Sequence, residues 1–253
     1  MTTERIVYGP HPLHFGELTL TVGAAPRGTV VLVHGGFWRA GAGWDGVDEL
    51  GGALVEAGWH VWRIQYRGVG EPDGGGWPRT TDDVAAAIDH LAVVATDRAL
   101  DLGPVVTVGH SAGGHLAVWA LDRRGATNTD APRLDLVGAV SLAGVLDLRL
   151  SEAQNLGQGA AQAFVGGASA EHPGIYDAAS PSEAPDAGRP VRLVHGDDDD
   201  VVPLSQSESY LAAARRAGQD AWLTTVEGDH MAVVGPSAEA RAAVIAAVAS
   251  LSS

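Results

Sequence analysis

The segment Gly109–Gly113, which reads GHSAG, places Ser111 between an apolar run and a stretch with helical periodicity. A serine on such a sharp strand-to-helix turn adopts a strained backbone, and small neighbours allow the close approach that the turn needs. The turn lifts Oγ out of the sheet and directs the next N–H groups toward it at the positive end of a helix. The pattern therefore predicts that Ser111 is a nucleophile; a tight turn with a capping serine is the alternative.

A serine hydroxyl is a weak nucleophile at neutral pH, so it needs a base that a carboxylate orients. When the serine follows a strand of an α/β sheet, the acid comes next along the chain and the histidine last. Beyond the predicted helix that begins at Ala112, three histidines follow Ser111. His195 precedes every carboxylate of its own loop, and His172 precedes the final predicted strands. His230 follows the last predicted strand, so we expect it to be the base.

The acid is expected in Asp197–Asp200, directly after Gly196. Four adjacent carboxylates cannot all point inward, and most of them suit a solvated turn. We favour Asp199, which lies three residues after Gly196 and just before the Val-Val-Pro run. Asp200 is the second choice, and Asp147 is a third that a helix cap explains well.

A tetrahedral intermediate also needs N–H donors for its negatively charged oxygen. The amide of Ala112 is one candidate, because it follows the nucleophile. The loop His34–Trp38 follows the first core strand, and its glycines leave the backbone free to turn its amides toward the site. We therefore expect Gly36 and Phe37 to supply the other donors; a plain glycine turn is the alternative.

Strands and helices must hold these residues in place. The periodicity of apolar residues predicts that the two kinds of element alternate along the chain. Predicted strands span 28–34, 60–66, 103–110, 136–144, 190–196 and 221–226, after two extended pieces at 5–8 and 17–22; predicted helices span 47–57, 80–95, 112–123, 205–217 and 237–251. The alternation predicts the α/β class, a doubly wound, mostly parallel sheet with helices on both faces. We expect one domain over 1–253, with 145–189 as a small cap-like insertion that has weak helical pieces.

Composition limits the partners of the chain. Its 253 residues carry a formal net charge of −15 at pH 7 and include no cysteine. An acidic surface repels phosphate backbones and anionic lipids, so neither nucleic acid nor a membrane is expected as a partner. We see no signal-peptide pattern and no apolar stretch long enough to cross a bilayer, so we expect a cytoplasmic protein. The oligomeric state stays open.

Aromatic and histidine side chains near the predicted site could either contact a substrate or support the scaffold. Trp38, Trp44 and Trp77 either line a pocket for a partly aromatic substrate or pack their loops onto the scaffold. We retain Trp38 and Trp77 as candidate pocket residues. His110 and His115 lie five residues apart, which does not put both on one helix face, so we expect packing or polar support. We expect neither a metal nor a cofactor.

Four motifs occur in order along the chain: VVLVHGGFW, GHSAGGHLA, LVHGDDDDVVP and GDH. With them, residues 28 to 251 resemble the α/β-hydrolase superfamily. The nearest groups are the HGGxW-type carboxylesterases and the kynurenine formamidases, and prolyl-oligopeptidase-type domains are more distant. The resemblance implies an α/β-hydrolase fold, triad roles for Ser111, Asp199 and His230, and an oxyanion role for the His34–Trp38 loop. The run of four aspartates departs from the family pattern and leaves the acid less certain.

The sequence thus predicts a cofactor-independent serine hydrolase. Its expected substrates are carboxylic esters or activated amides of small, partly aromatic molecules, cleaved through an acyl-enzyme. An aryl-formamidase of the N-formylkynurenine type is the first alternative, and a prolyl-oligopeptidase-like peptidase is the second. A non-catalytic binding module on the same scaffold is the third; such proteins usually lack a triad member, whereas this chain offers all three.

Overall fold

One sheet occupies the centre of the fold in the computed structural model, which describes residues 2–22, 26–127, 134–186 and 188–252. Within these residues the strands are β1 (Thr2–Val7), β2 (Phe15–Leu20), β3 (Thr29–Val33), β4 (His60–Ile64), β5 (Val105–His110), β6 (Gly138–Leu142), β7 (Val191–Gly196) and β8 (Ala221–Val226). Their order across the sheet is β1-β2-β4-β3-β5-β6-β7-β8.

The six strands from β3 to β8 are parallel, and β2 pairs antiparallel with both β1 and β4. Every residue of β3, β5, β6 and β7 is buried, as expected for apolar strands that are covered on both faces. The carboxyl ends of the parallel strands share one edge, where ligands bind in open α/β sheets. The loops that carry the predicted chemistry follow β3, β5, β7 and β8.

Helices cover both faces of the sheet. They are α1 (Asp48–Glu56), α2 (Arg79–Arg98), α3 (Ala112–Trp119), α4 (Leu148–Ala153), α5 (Ala160–Val165), α6 (Pro173–Ala179), α7 (Ser205–Ala217) and α8 (Ala238–Ala249), with 3₁₀ turns at Trp44–Gly46 and Pro181–Glu183. The apolar residues of α1 and α8 pack in one core cluster with one face of the sheet. Those of α2 to α7 pack in a second cluster on the other face. The predicted doubly wound α/β class is confirmed.

The predicted elements differ from the observed ones mainly at their ends. Helix α2 begins at Arg79 and continues to Arg98, and α3 ends at Trp119, four residues before its predicted end. Fraying and capping decide such boundaries, and the periodicity of apolar residues does not report them. None of the described helices is both long enough and apolar enough to cross a membrane.

The segment 145–189 contributes α4, α5 and α6, which lie beside the sheet edge. Asp147 caps α4, because its side chain accepts a hydrogen bond from the amide of Leu150 at 2.9 Å. Phe164 of α5 stacks on Trp38 with ring centroids 4.7 Å apart. This segment therefore braces the loop after β3 from the side. The single-domain organisation with a cap at 145–189 stays a prediction.

Candidate active site

Ser111 lies between the last residue of β5 and the first residue of α3, with φ of 57° and ψ of −122°. Such a positive φ is unusual for a residue with a side chain and is maintained by the surrounding packing. A Cβ on Gly109 would lie 2.0 Å from the carbonyl oxygen of Gly113, and one on Gly113 would lie 2.2 Å from that of Val33. Only glycine fits at these two positions, so the GxSxG spacing is a steric requirement of this turn.

Asp199 is buried, whereas its neighbours Asp197, Asp198 and Asp200 are exposed. Its Oδ2 accepts a hydrogen bond from Nδ1 of His230 at 2.7 Å. Of the four adjacent carboxylates, Asp199 is therefore the one that holds the predicted base. Asp147, the third choice from the sequence, serves as the helix cap described above.

The surroundings of Asp199 keep its carboxylate ionised. Burial favours the neutral acid, but hydrogen bonds from His195, His230 and the backbone of Val202 outweigh it and hold the pKa of Asp199 well below its usual range. Oδ1 accepts the amides of Val201 and Val202 at 2.9 and 2.8 Å. An ionised acceptor next to Nδ1 requires that His230 carry a proton there, which leaves the lone pair of a neutral ring on Nε2.

Ser111 and His230 line one cavity of about 350 Å³ at the carboxyl edge of the sheet. The cavity is also lined by Gly35, Gly36, Phe37, Ala42, Gly43, Gly46, His110, Val201 and Met231. None of the described residues of 145–189 is among them. The walls are mostly apolar, and Met231 and Val201 form an exposed rim on the side of the base and the acid.

The loop after β3 approaches the nucleophile closely. A Cβ on Gly35 would lie 2.9 Å from Cβ of Ser111, so no larger residue fits there. Gly36 and Phe37 have positive φ values of 111° and 50°. Among the described residues, no backbone hydrogen bond occupies the amides of Gly36, Phe37 or Ala112. The three predicted donors thus have no backbone partner among these residues; Gly36 and Phe37 line the cavity, and Ala112 directly follows Ser111.

Buried polar contacts fix this loop from behind. The indole N–H of Trp38 donates to Nδ1 of His115 at 3.2 Å, and Nε2 of His115 donates to the carbonyl of Ala179 at 2.8 Å. Tyr66 stacks on His34 with centroids 4.3 Å apart and donates its hydroxyl to the carbonyl of that residue. These contacts hold the strained backbone of the loop in place without charge.

His110 precedes Ser111 and contacts the predicted base, His230. Its Nε2 donates to the carbonyl oxygen of His230 at 3.0 Å, and the two rings lie 4.5 Å apart. Burial lowers the pKa of His110 to about 4, and the nearby His230 adds to the effect. The polar support expected of His110 and His115 is confirmed.

The tryptophans predicted as pocket residues lie elsewhere, and this prediction is wrong. Trp38 is fully buried between His115 and Phe164. Trp77 packs edge-on against Trp119, with centroids 6.0 Å apart, and is absent from the cavity wall. Trp44 donates its indole N–H to the carbonyl of Ile64. Large apolar rings gain more free energy by packing under the loops than by remaining in an open cavity.

Sequence reasoning missed the residues that complete the site. His195 contacts the carboxylate of Asp199 on the side away from the cavity. Val201 and Met231 each lie next to a motif, yet nothing in the sequence shows that their side chains point to the cavity. For His195 the available signal was its position at the end of a buried strand, just before the acid.

Comparison with known proteins finds relatives that are named esterases. A family model described as BD-FAE matches residues 21–213. Esterase LipQ of Mycobacterium tuberculosis is 30% identical over 207 residues, which are 75% of this chain and 46% of that protein. The chain therefore spans about half the length of this curated relative.

Solved structures share the fold at lower sequence identity. A truncated carbohydrate esterase from gut microbiota superposes with a TM-score of 0.86 at 21% identity, covering 100% of this chain and 96% of that one. Esterase B from Lactobacillus rhamnosis gives 0.82 at 19% identity, covering 99% and 84% of the two chains. Together with the strand order, these likenesses show that the chain has the α/β-hydrolase fold.

The buried histidines of the site predict a loss of stability in acid. Burial lowers the pKa values of His34, His110 and His115 to about 4, from 6.5 when exposed. The unfolded chain therefore binds more protons between these limits, and the stabilisation present above pH 6.5 is lost as the pH falls toward 4. We expect the free energy of unfolding, measured by urea titration from pH 7.5 to 4.5, to fall by roughly 1.4 kcal/mol per pH unit per histidine.

His110→Gln removes one of these histidines and should make the free energy of unfolding depend less steeply on pH. The matched control, His172→Gln, changes a partly exposed ring outside the site and should keep it. A free energy of unfolding that does not change between pH 7.5 and 4.5 would contradict the burial of neutral imidazoles.

Proposed function

The chain belongs to the BD-FAE family, and from this premise we propose that it is a serine esterase that cleaves small carboxylic esters through an acyl-enzyme. One observation carries the proposal. The 2.7 Å hydrogen bond between His230 and the buried Asp199 directs a neutral imidazole to the cavity that Ser111 also lines. The esterase names of the curated relative and of the structural neighbours support the same class of reaction.

In the acylation step, Nε2 of His230 takes the proton of Ser111 as Oγ attacks the ester carbonyl carbon. Asp199 keeps the imidazole in the required tautomer and stabilises the imidazolium that forms. The tetrahedral intermediate then collapses, the bond from the carbonyl carbon to the alcohol oxygen breaks, and His230 returns its proton to the leaving alcohol. The serine ester that remains is the acyl-enzyme.

The negative charge of the intermediate falls on the former carbonyl oxygen. We assign its stabilisation to the amides of Gly36, Phe37 and Ala112, which have no backbone partner among the described residues; the first two line the cavity, and Ala112 directly follows Ser111. Donors that are fixed before the reaction need no reorganisation, and each contributes about 3 kcal/mol. In the deacylation step, water takes the place of the alcohol and His230 again acts as the base.

The cavity favours a small, uncharged acyl group. At about 350 Å³ it lies near the lower end of the roughly 300–1,000 Å³ that ligand pockets span. Apart from the histidines, its lining offers no ionisable side chain to pair with a charged substituent. Phe37 supplies one aromatic wall, which would accommodate a ring in the substrate. We place the acyl group beside the glycine-rich wall formed by Gly43 and Gly46, which leaves room for it.

Replacing Ser111 tests the nucleophile. We expect the folded protein to react covalently with a fluorophosphonate probe, and Ser111→Ala to abolish labelling and lower kcat by about 10⁶-fold on a p-nitrophenyl ester. Ser205→Ala, at the start of α7, serves as the control and should keep both activities. Labelling that survives in Ser111→Ala would reject the assignment. N-formylkynurenine is included as a substrate, because the formamidase alternative predicts that it is the better one.

The choice of acid is tested by two isosteric substitutions. Asp199→Asn keeps the shape of the side chain but removes the charge that stabilises the imidazolium, so kcat should fall by about 10⁴-fold. Asp200→Asn changes an exposed neighbour and should leave kcat nearly unchanged. Steady-state kinetics of both variants at pH 8 shows which of the two aspartates is the acid. Equal losses in the two variants would contradict the assignment of Asp199.

The size limit of the acyl group is tested at Gly46. A Cβ at this position lies 3.6 Å from Cε of Met231, an ordinary contact, so a larger side chain can enter the cavity without moving the backbone. We expect Gly46→Val to raise the KM for a p-nitrophenyl hexanoate about tenfold while changing that for the acetate little. Gly174→Val adds the same volume in open space on α6 and is the control. An equal rise for both esters would contradict the placement.

A further inference from the structure

Two imidazoles converge on one oxygen of Asp199. Nδ1 of His230 lies 2.7 Å from Oδ2, and Nε2 of His195 lies 3.2 Å from the same oxygen. The other oxygen, Oδ1, is occupied by the amides of Val201 and Val202. Four donors thus surround a carboxylate that is closed to water. His195 itself is fully buried at the end of β7 and does not line the cavity.

The neighbours of His195 determine its tautomer. Nε2 faces two acceptors, Oδ2 of Asp199 and the carbonyl oxygen of Val202 at 2.8 Å, so it must carry the proton. In a neutral ring Nδ1 is then an acceptor, and it takes the hydroxyl proton of Ser207 on α7 at 2.8 Å. The hydrogen bonds of His195 therefore run in one direction, from Ser207 to Nδ1 and from Nε2 to Val202, and Oδ2 of Asp199 is a longer second contact of the same N–H.

We propose that His195 is a positioning residue of the reaction, acting through Asp199 by an Nε2–H that is shared between the carbonyl of Val202 and the oxygen that holds His230. The proposal rests on the proposed esterase function. The second donor has two effects: it fixes the plane of the carboxylate, and it withdraws negative charge from Oδ2. Without it, the full charge would act on His230 and favour the imidazolium, which cannot accept the proton of Ser111.

The charged groups near Asp199 make this effect specific to His195. Among the described residues, the ionisable side chains in contact with the carboxylate are His195 and His230 alone. His110 packs on the far side of His230 and donates to its backbone, so it does not compete for Oδ2. The aspartates at 197, 198 and 200 are exposed, where solvent screens them.

The test compares four variants of the whole protein. His195→Leu removes the donor, His195→Gln keeps an N–H near the position of Nε2, and Ser207→Ala removes the bond that fixes the tautomer. Ser209→Ala is the matched control, because Ser209 lies on the same helix and bonds Asp147 instead. The concentration of active sites in each sample is measured with a fluorophosphonate, so that loss of folded protein is not counted as loss of rate.

Two readouts separate positioning from simple packing. We expect His195→Leu to lower kcat about 10- to 100-fold with KM changed less than about twofold, and to move the acid limb of the kcat/KM profile to higher pH. Ser207→Ala should move the limb in the same direction by less, and His195→Gln should restore most of the rate. A purely structural role would lower the plateau in all variants and leave the limb in place, which would overturn the proposal.

A second measurement does not depend on activity. In protein labelled with ¹⁵N-histidine, the ring signals of His230 report its protonation directly. We expect His230 to stay protonated to higher pH in His195→Leu than in the unchanged protein, and Ser209→Ala to match the unchanged protein. An unaltered titration would overturn the role of His195 even if esterase activity is present. Absence of ester hydrolysis in the unchanged protein, with the shift observed, would reject the proposed function alone.

Discussion

The site depends on backbone segments that approach one another more closely than any side chain would allow. At the turn around Ser111, Gly109 and Gly113 bring the end of β5, the start of α3 and the end of β3 together. Gly35 then lies directly against Cβ of Ser111. The nucleophile and the loop with the candidate donor amides therefore form one rigid unit, held by fully buried strands on both sides. The strain of a serine at positive φ is borne by this packing.

The proposed acid and base, Asp199 and His230, are joined by a second close approach, nearer the edge of the sheet. A Cβ on Gly196 would lie 2.4 Å from the carbonyl oxygen of Gly228, so the loops after β7 and β8 touch through their backbones. The amide of Asp198 donates to the carbonyl of Gly228 at 3.0 Å and closes the contact. Strand β8 is only half-buried, so these polar contacts, more than apolar packing, fix the distance between Asp199 and His230.

The parts of the site that the sequence predicted are those set by local rules. Apolar runs predict buried strands, and a serine flanked by glycines at a strand end predicts the turn, because both depend on neighbours along the chain. The prediction that tryptophans line the cavity failed, because the position of a residue on a loop does not determine where its ring points. The ring of Trp38, for example, turns to the core. His195 was missed for a related reason: its contact with Asp199, four residues further along the chain, depends on how the loop after β7 turns.

Neutral histidines explain how a polar site can be both buried and rigid. A neutral imidazole has one donor and one acceptor, so it can join two partners without a charge that burial would penalise. His115 accepts from Trp38 and donates to a carbonyl, and His195 accepts from Ser207 and donates toward Asp199. Both nitrogens of His115 and of His195 are bonded, whereas His230 is bonded through Nδ1 to Asp199 and its Nε2 has no hydrogen-bond partner among the described residues. The fold thus separates the histidines that hold the loops from His230, which we propose as the base.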